Sequence, residues 1–113
     1  MPEETFPERR KQPRFSLIAE AFITEAGEGG ARLSVRVSDL CKGGCYVDTL
    51  NPLPVSTALE LRIEHADVTC VVPARVIYMH PGYGMGVEFV NVPLDQRAIL
   101  DAWVAQLAGP KGD

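Results

Sequence analysis

Arg9, Arg10 and Arg14 stand in the run Glu8 to Phe15, and Asp39, Cys41, Gly43 and Gly44 stand in the run Asp-Leu-Cys-Lys-Gly-Gly that ends at Gly44. A guanidinium carries a permanent charge and a planar fork of donors. That fork fits a phosphate or the O6 and N7 acceptors of a guanine edge. The carboxylate of Asp39 has the complementary chemistry, because it can accept from the N1–H and N2–H groups that distinguish guanine from adenine. Gly43 and Gly44 lack a Cβ and let backbone N–H groups approach a base or phosphate closely. By itself an R-x-x-x-R pair is ordinarily a solvated basic segment, and an Asp/Gly turn is ordinarily a plain hairpin. Together they make two complementary half-sites for a guanine nucleotide that carries phosphate.

Those half-sites need elements to hold them. Residues 1–13 contain three prolines and no apolar periodicity, which predicts an extended, mobile arm. Phe15, Leu17, Ala19, Ala21 and Ile23 then alternate as one face of a strand, with Ile18 and Phe22 leaving the other face partly apolar. Leu33, Val35 and Val37 form a second strand that runs into the Asp39–Gly44 turn. Tyr46 and Val47 begin the return strand. Leu59, Leu61 and Ile63 alternate with Glu60, Arg62 and Glu64, a turn at His65 to Asp67 follows, and a long strand runs from Val68 to Tyr78. Pro73 inside it marks an edge or a bulge. After the turn His80 to Gly84, Met85, Val87 and Phe89 face one way.

Short connections make consecutive strands antiparallel, and six strands without an intervening helix imply a closed or two-sheet barrel. The last element changes period. Ile99, Leu100, Trp103, Val104 and Leu107 recur at helical spacing, and Gly109 and Pro110 stop the helix. Its apolar stripe must cover an open end of the barrel or meet a partner. The domain reading is therefore an N-terminal arm over 1–13, carrying part of the ligand motif, and one barrel domain over 14–109.

Composition narrows the function. The chain has 113 residues, 46% of them apolar and 23% charged, values suited to one domain with its own core. A formal net charge of −4 argues against broad binding to a nucleic-acid polymer or an anionic membrane. Positive charge is concentrated at Arg9, Arg10, Lys11 and Arg14, which suits a small anionic ligand. No apolar run is long enough to span a bilayer and no secretory h-region opens the chain, so the expected location is the cytoplasm. Cys41, Cys45 and Cys70 lack C-x-x-C spacing, which favours neither a zinc site nor a disulfide framework, and no metal or cofactor is expected. Cys41 and Cys45 are close enough in sequence to cross-link on oxidation, a minor route in that compartment. His65 and His80 have no triad partners, no P-loop is present, and Tyr83 and Trp103 read as core or cap residues. Nothing points to an enzyme.

Arg10 and Arg14 form R-x-x-x-R, and Asp39, Cys41 and Gly44 nearly complete [D/N]-x-S-x-x-G. Gly84-Met-Gly-Val-Glu-Phe89 adds a third block. In these three segments the chain resembles the PilZ domain family of bacteria. The resemblance implies a six-stranded antiparallel β-barrel with a C-terminal α-helix, and binding of the second messenger cyclic di-GMP. It assigns Arg10 and Arg14 to the guanine edge and phosphate, and Asp39 and Gly44 to guanine from the barrel side. Arg9 is a position where the family often has a further arginine when two stacked ligand molecules bind. Signalling would then pass to an unidentified partner protein as the arm orders over the nucleotide. One position departs from the pattern: Cys41 stands where the family has serine. A thiol is larger and a weaker hydrogen-bonding group, so the alternative is an interaction adaptor with weak or no cyclic di-GMP binding.

Overall fold

The computed structural model describes residues 15–25 and 32–108. Six strands follow in chain order: β1 (Phe15–Glu25), β2 (Arg32–Cys41), β3 (Gly44–Asp48), β4 (Ala58–His65), β5 (Val68–His80) and β6 (Gly84–Phe89). One helix, α1 (Leu94–Ala108), ends the described chain. The strands close into a barrel in the order β1-β2-β3-β6-β5-β4, every neighbouring pair antiparallel. Closure satisfies both sides of each strand and leaves no open edge.

Alternating side chains build the interior. Ala19, Ala21 and Ile23 of β1, Leu59, Leu61 and Ile63 of β4, and Val72, Ala74 and Val76 of β5 are all buried. Intervening residues face outward, and on β1 Phe22 lies under the guanidinium of Arg32, 4.9 Å from the ring centroid. Pro73 sits where it costs no ladder bond. In an antiparallel ladder a residue's N–H and C=O point to the same side, and the Pro73 carbonyl accepts from Val90 N–H at 2.9 Å. The missing donor would thus face β6 just past its last residue, Phe89. Pro73 marks the end of the β5–β6 ladder, while the register shift in that pair lies between Val76 and Tyr78.

The helix closes one end of the barrel. Leu100, Trp103 and Val104 are buried, and α1 packs mainly on β1 and β5. Trp103 meets His65 edge to face at 5.4 Å, and the Gln96 side-chain carbonyl accepts from Val71 N–H at 2.7 Å. No helix among the described residues is long and apolar enough to cross a membrane.

The β4–β5 hairpin turns through Ala66 and Asp67, flanked by the pair His65 and Val68. Both central residues have positive φ, 55° and 64°, the type I′ conformation in which Asn-Gly is preferred. Alanine carries a Cβ penalty in that region. The double replacement Ala66→Asn with Asp67→Gly is expected to stabilise the barrel by roughly 1 kcal/mol, a rise of about 3–6 °C in Tm by calorimetry. A lowered Tm would contradict this account of the turn.

Candidate functional site

The site begins with a break in alternation. Val37 pairs with Val47, but the next pair is Asp39 with Tyr46, so β2 has one more residue than β3 between them. Had the period of two continued, Asp39 would face inward with Val37. The bulge at Ser38 instead turns Leu40 into the core, fully buried, and leaves Asp39 half-buried on the outer side. β1 has a matching shift between Ser16 and Ala19 that keeps Asp39 opposite Ser16. The sequence does carry a trace of this: Val37-Ser38-Asp39-Leu40 puts two polar residues between two apolar ones, which a regular one-sided strand does not do.

The turn is shorter than the Asp39–Gly44 stretch read from sequence. Cross-strand pairing carries β2 through Cys41 and starts β3 at Gly44, leaving Lys42 and Gly43 as a two-residue connection. Asp39 and Cys41, two residues apart on one strand, project to the same outer face. Gly44 pairs with Cys41 on one side and Glu88 on the other. A Cβ at Gly44 would run into the Val87 carbonyl oxygen. This glycine is therefore required by the closeness of β3 and β6, whatever else it does.

Both carbonyls of the connection are held. Gly43 C=O accepts from Phe89 N–H at 2.8 Å, and Lys42 C=O accepts from Arg97 Nη1 of α1, also at 2.8 Å. Asp39, Cys41, Gly43 and Gly44 thus form one small, fixed unit on the barrel's outer side, beside the helix-covered end. Arg9, Arg10 and Arg14 lie outside the described residues. β1 opens at Phe15, opposite Leu40.

Cys41 and Cys45 do not face each other. Cys45 pairs with inward-facing Leu40 and is buried, whereas Cys41 is on the outer face, so the cross-link suggested by their nearness in sequence is disfavoured by parity. Burial pushes the Cys45 thiol well above its ordinary pKa. Cys70, also shielded by burial, is pushed up to about 11. Neither is a ready thiolate. Among the described residues no three His, Cys, Asp or Glu side chains converge as metal ligands.

An aromatic face adjoins Asp39 that the linear reading missed. Asp39, Tyr46, Gly86 and Tyr78 are successive partners across β2, β3, β6 and β5. The Tyr46 ring fills the space a Cβ would need at Gly84, and the Tyr78 ring does so at Gly86. Tyr46 Oη lies 3.0 Å from His80 Nδ1, and the Tyr46 and Tyr78 centroids are 6.2 Å apart. Burial is the main cause that raises the Tyr46 pKa, so its hydroxyl stays protonated at neutral pH. The alternation Gly84, Met85, Gly86, Val87 is the available signal: inward apolar residues separated by outward glycines leave room for neighbouring rings. Tyr83 departs from its expected core or cap role, being 77% exposed in the β5–β6 turn, whereas Trp103 is buried as expected.

A closed six-stranded barrel with a C-terminal helix, and a glycine-bearing β2–β3 connection beside an outward carboxylate, is the architecture of one known kind of small domain. Residues 8–106 match the PilZ domain family, and the chain belongs to it. The fold agrees with solved members. The PilZ domain of CeSA from a cellulose-synthesizing bacterium is 22% identical with a TM-score of 0.69, over 86% of this chain and 99% of that one. The PilZ domain of Escherichia coli YcgR with c-di-GMP is 17% identical with a TM-score of 0.73, over 88% and 92%. The Bacillus subtilis inhibitor of motility MotI/DgrA is 18% identical with a TM-score of 0.68, over 91% of this chain and 54% of that one. No curated relative matches the chain.

Proposed function

We propose that this protein is a non-catalytic cyclic di-GMP receptor in which Arg9, Arg10 and Arg14 close over a nucleotide seated on Asp39, Cys41, Gly43 and Gly44. The observation that carries this reading is the pairing of Phe15 with Leu40. Consecutive Cα atoms are about 3.8 Å apart, so Arg14 is tethered one residue from the strand position between Asp39 and Cys41. Arg10 is four residues further away, within about 18 Å of Phe15 on an extended chain. That tether is short enough for the two halves of the motif to meet at one place on the barrel. Two phosphates provide charge to offset the entropy of fixing the arginine segment. The ordered segment and the covered barrel face become a surface that a partner protein reads.

Family membership supports this ligand, as does the c-di-GMP carried by the E. coli YcgR domain. The test is calorimetric titration with cyclic di-GMP, with cyclic di-AMP as the control that lacks the guanine N1–H and N2–H donors. Saturable binding of the guanine ligand alone is expected, and a stoichiometry of two would assign Arg9 to a second stacked molecule. No binding at high micromolar ligand would leave the second reading, an interaction adaptor, which Cys41 favours.

The thiol makes its own prediction. A hydroxyl donates and accepts better than a thiol, and one ordinary hydrogen bond contributes about 0.5–1.5 kcal/mol. Cys41→Ser is therefore expected to tighten cyclic di-GMP binding roughly three- to tenfold. Unchanged or weaker affinity in the same titration would show that the sulfur is not what limits binding.

A further inference from the structure

Arg97 joins α1 to the motif connection by a hydrogen bond, and nothing in the R-x-x-x-R or Asp/Gly motifs includes it. Its Nη1 donates to Lys42 C=O at 2.8 Å and lies 3.4 Å from Asp101 Oδ1 on its own helix. Gln96, the preceding residue, is tied to the barrel through Val71 N–H. The guanidinium thus reaches from an anchored helical turn to the middle of the β2–β3 connection.

That carbonyl is a sensitive place to hold. Cys41, Lys42, Gly43 and Gly44 make a four-residue turn, and neither central residue has positive φ, as in a type I turn. Type II differs by a flip of the central peptide, and it requires positive φ at the third position. Glycine is the residue that permits this. The Lys42–Gly43 peptide is therefore free by its chemistry to adopt either state. In a trans peptide the C=O of Lys42 and the N–H of Gly43 point in opposite directions. Whatever fixes the first aims the second. Phe89 N–H holds the following carbonyl, of Gly43, and Arg97 holds that of Lys42.

We infer that Arg97 is a positioning residue for the nucleotide site: by holding Lys42 C=O it orients the Gly43 N–H, and so couples docking of α1 to ligand affinity. This rests on the receptor reading for the ligand, but not for the turn. Coupling is reciprocal. A bound nucleotide that uses the aimed N–H stabilises the Arg97 bond, and with it the first turns of α1.

The test uses Arg97→Ala and Arg97→Lys in the full chain. In the ligand-free protein, Arg97→Ala is expected to shift the Gly43 amide resonance and speed its hydrogen exchange, with far-ultraviolet circular dichroism unchanged. Arg97→Lys, which keeps a charged donor, is expected to restore most of both. In titrations Arg97→Ala is expected to weaken cyclic di-GMP binding roughly three- to tenfold. The loss should persist at 0.5 M salt, where simple attraction between a distant cation and the phosphates is screened. Ligand should slow exchange in the first turns of α1 in the wild type and not in Arg97→Ala. An unmoved Gly43 amide overturns the proposal, as does equal affinity of wild type and Arg97→Ala. If the wild type does not bind, the receptor reading falls, and the ligand-free Gly43 measurement alone decides whether Arg97 sets the turn.

Discussion

Arg10→Ala or Arg14→Ala is expected to weaken cyclic di-GMP binding roughly 30- to 1000-fold, the loss of about 2–4 kcal/mol that follows truncation of a charged anchor in a small site. Two features make this the largest effect on affinity. In the proposed complex each guanidinium would face either a phosphate or a guanine edge, and the interaction would be charge-assisted and bidentate in both cases. The neighbouring Arg9 and Lys11 stand at other positions of the segment and do not restore a guanidinium at position 10 or 14. Losses should not add: with one arginine gone the segment no longer closes, so the double variant resembles either single one. Arg10→Lys should recover only part, since a lysine presents a point charge without the planar fork. Both arginines precede β1, which opens at Phe15, so the unfolding free energy should stay within about 0.5 kcal/mol of the wild type. Ligand should protect the N-terminal segment from protease in the wild type and not in either variant. Unaltered protection in Arg10→Ala and Arg14→Ala would overturn the arginine clamp.

How much of this was readable in the sequence depends on the range of the interaction concerned. Leu59, Leu61 and Ile63 announce β4 because a strand's side chains alternate with period two, and all three are buried. The C-terminal helix is equally plain from Leu100, Trp103 and Val104. Asp39, Cys41, Gly43 and Gly44 come together because they are nearly contiguous. β2 was only partly legible. Its alternation fails at Ser38, where a bulge is set by pairing with β1 and β3, and neither partner is visible locally. The rings of Tyr46 and Tyr78 over Gly84 and Gly86 depend on the registers of two ladders. Arg97 and Lys42 are 55 residues apart, and no periodicity connects them. Residues 1–14, with the arginines of the motif, are read from sequence alone.

Gly44→Ala is expected to have the largest effect on stability of any single methyl added at the motif, on the order of 2–4 kcal/mol. The new Cβ would meet the Val87 carbonyl oxygen and would stand 3.2 Å from Glu88 Cα. These are backbone atoms of a neighbouring strand, so relief requires β3 and β6 to move apart, and with them the ladder from Gly44 and Glu88 to Asp48 and Gly84. A domain of this size has roughly 5–15 kcal/mol of total stability, so the variant should still fold. Denaturant unfolding should show a lower midpoint with an unchanged slope. Gly82→Ala is the control. Gly82 has φ 80° but a Cβ there would meet nothing within 4 Å, so only conformational strain of about 1 kcal/mol is expected. If Gly44→Ala loses affinity while keeping its midpoint, the glycine serves ligand approach alone. If the midpoint falls as well, this position of the motif is held by the barrel, because the close approach of β3 and β6 leaves no room for a side chain at Gly44.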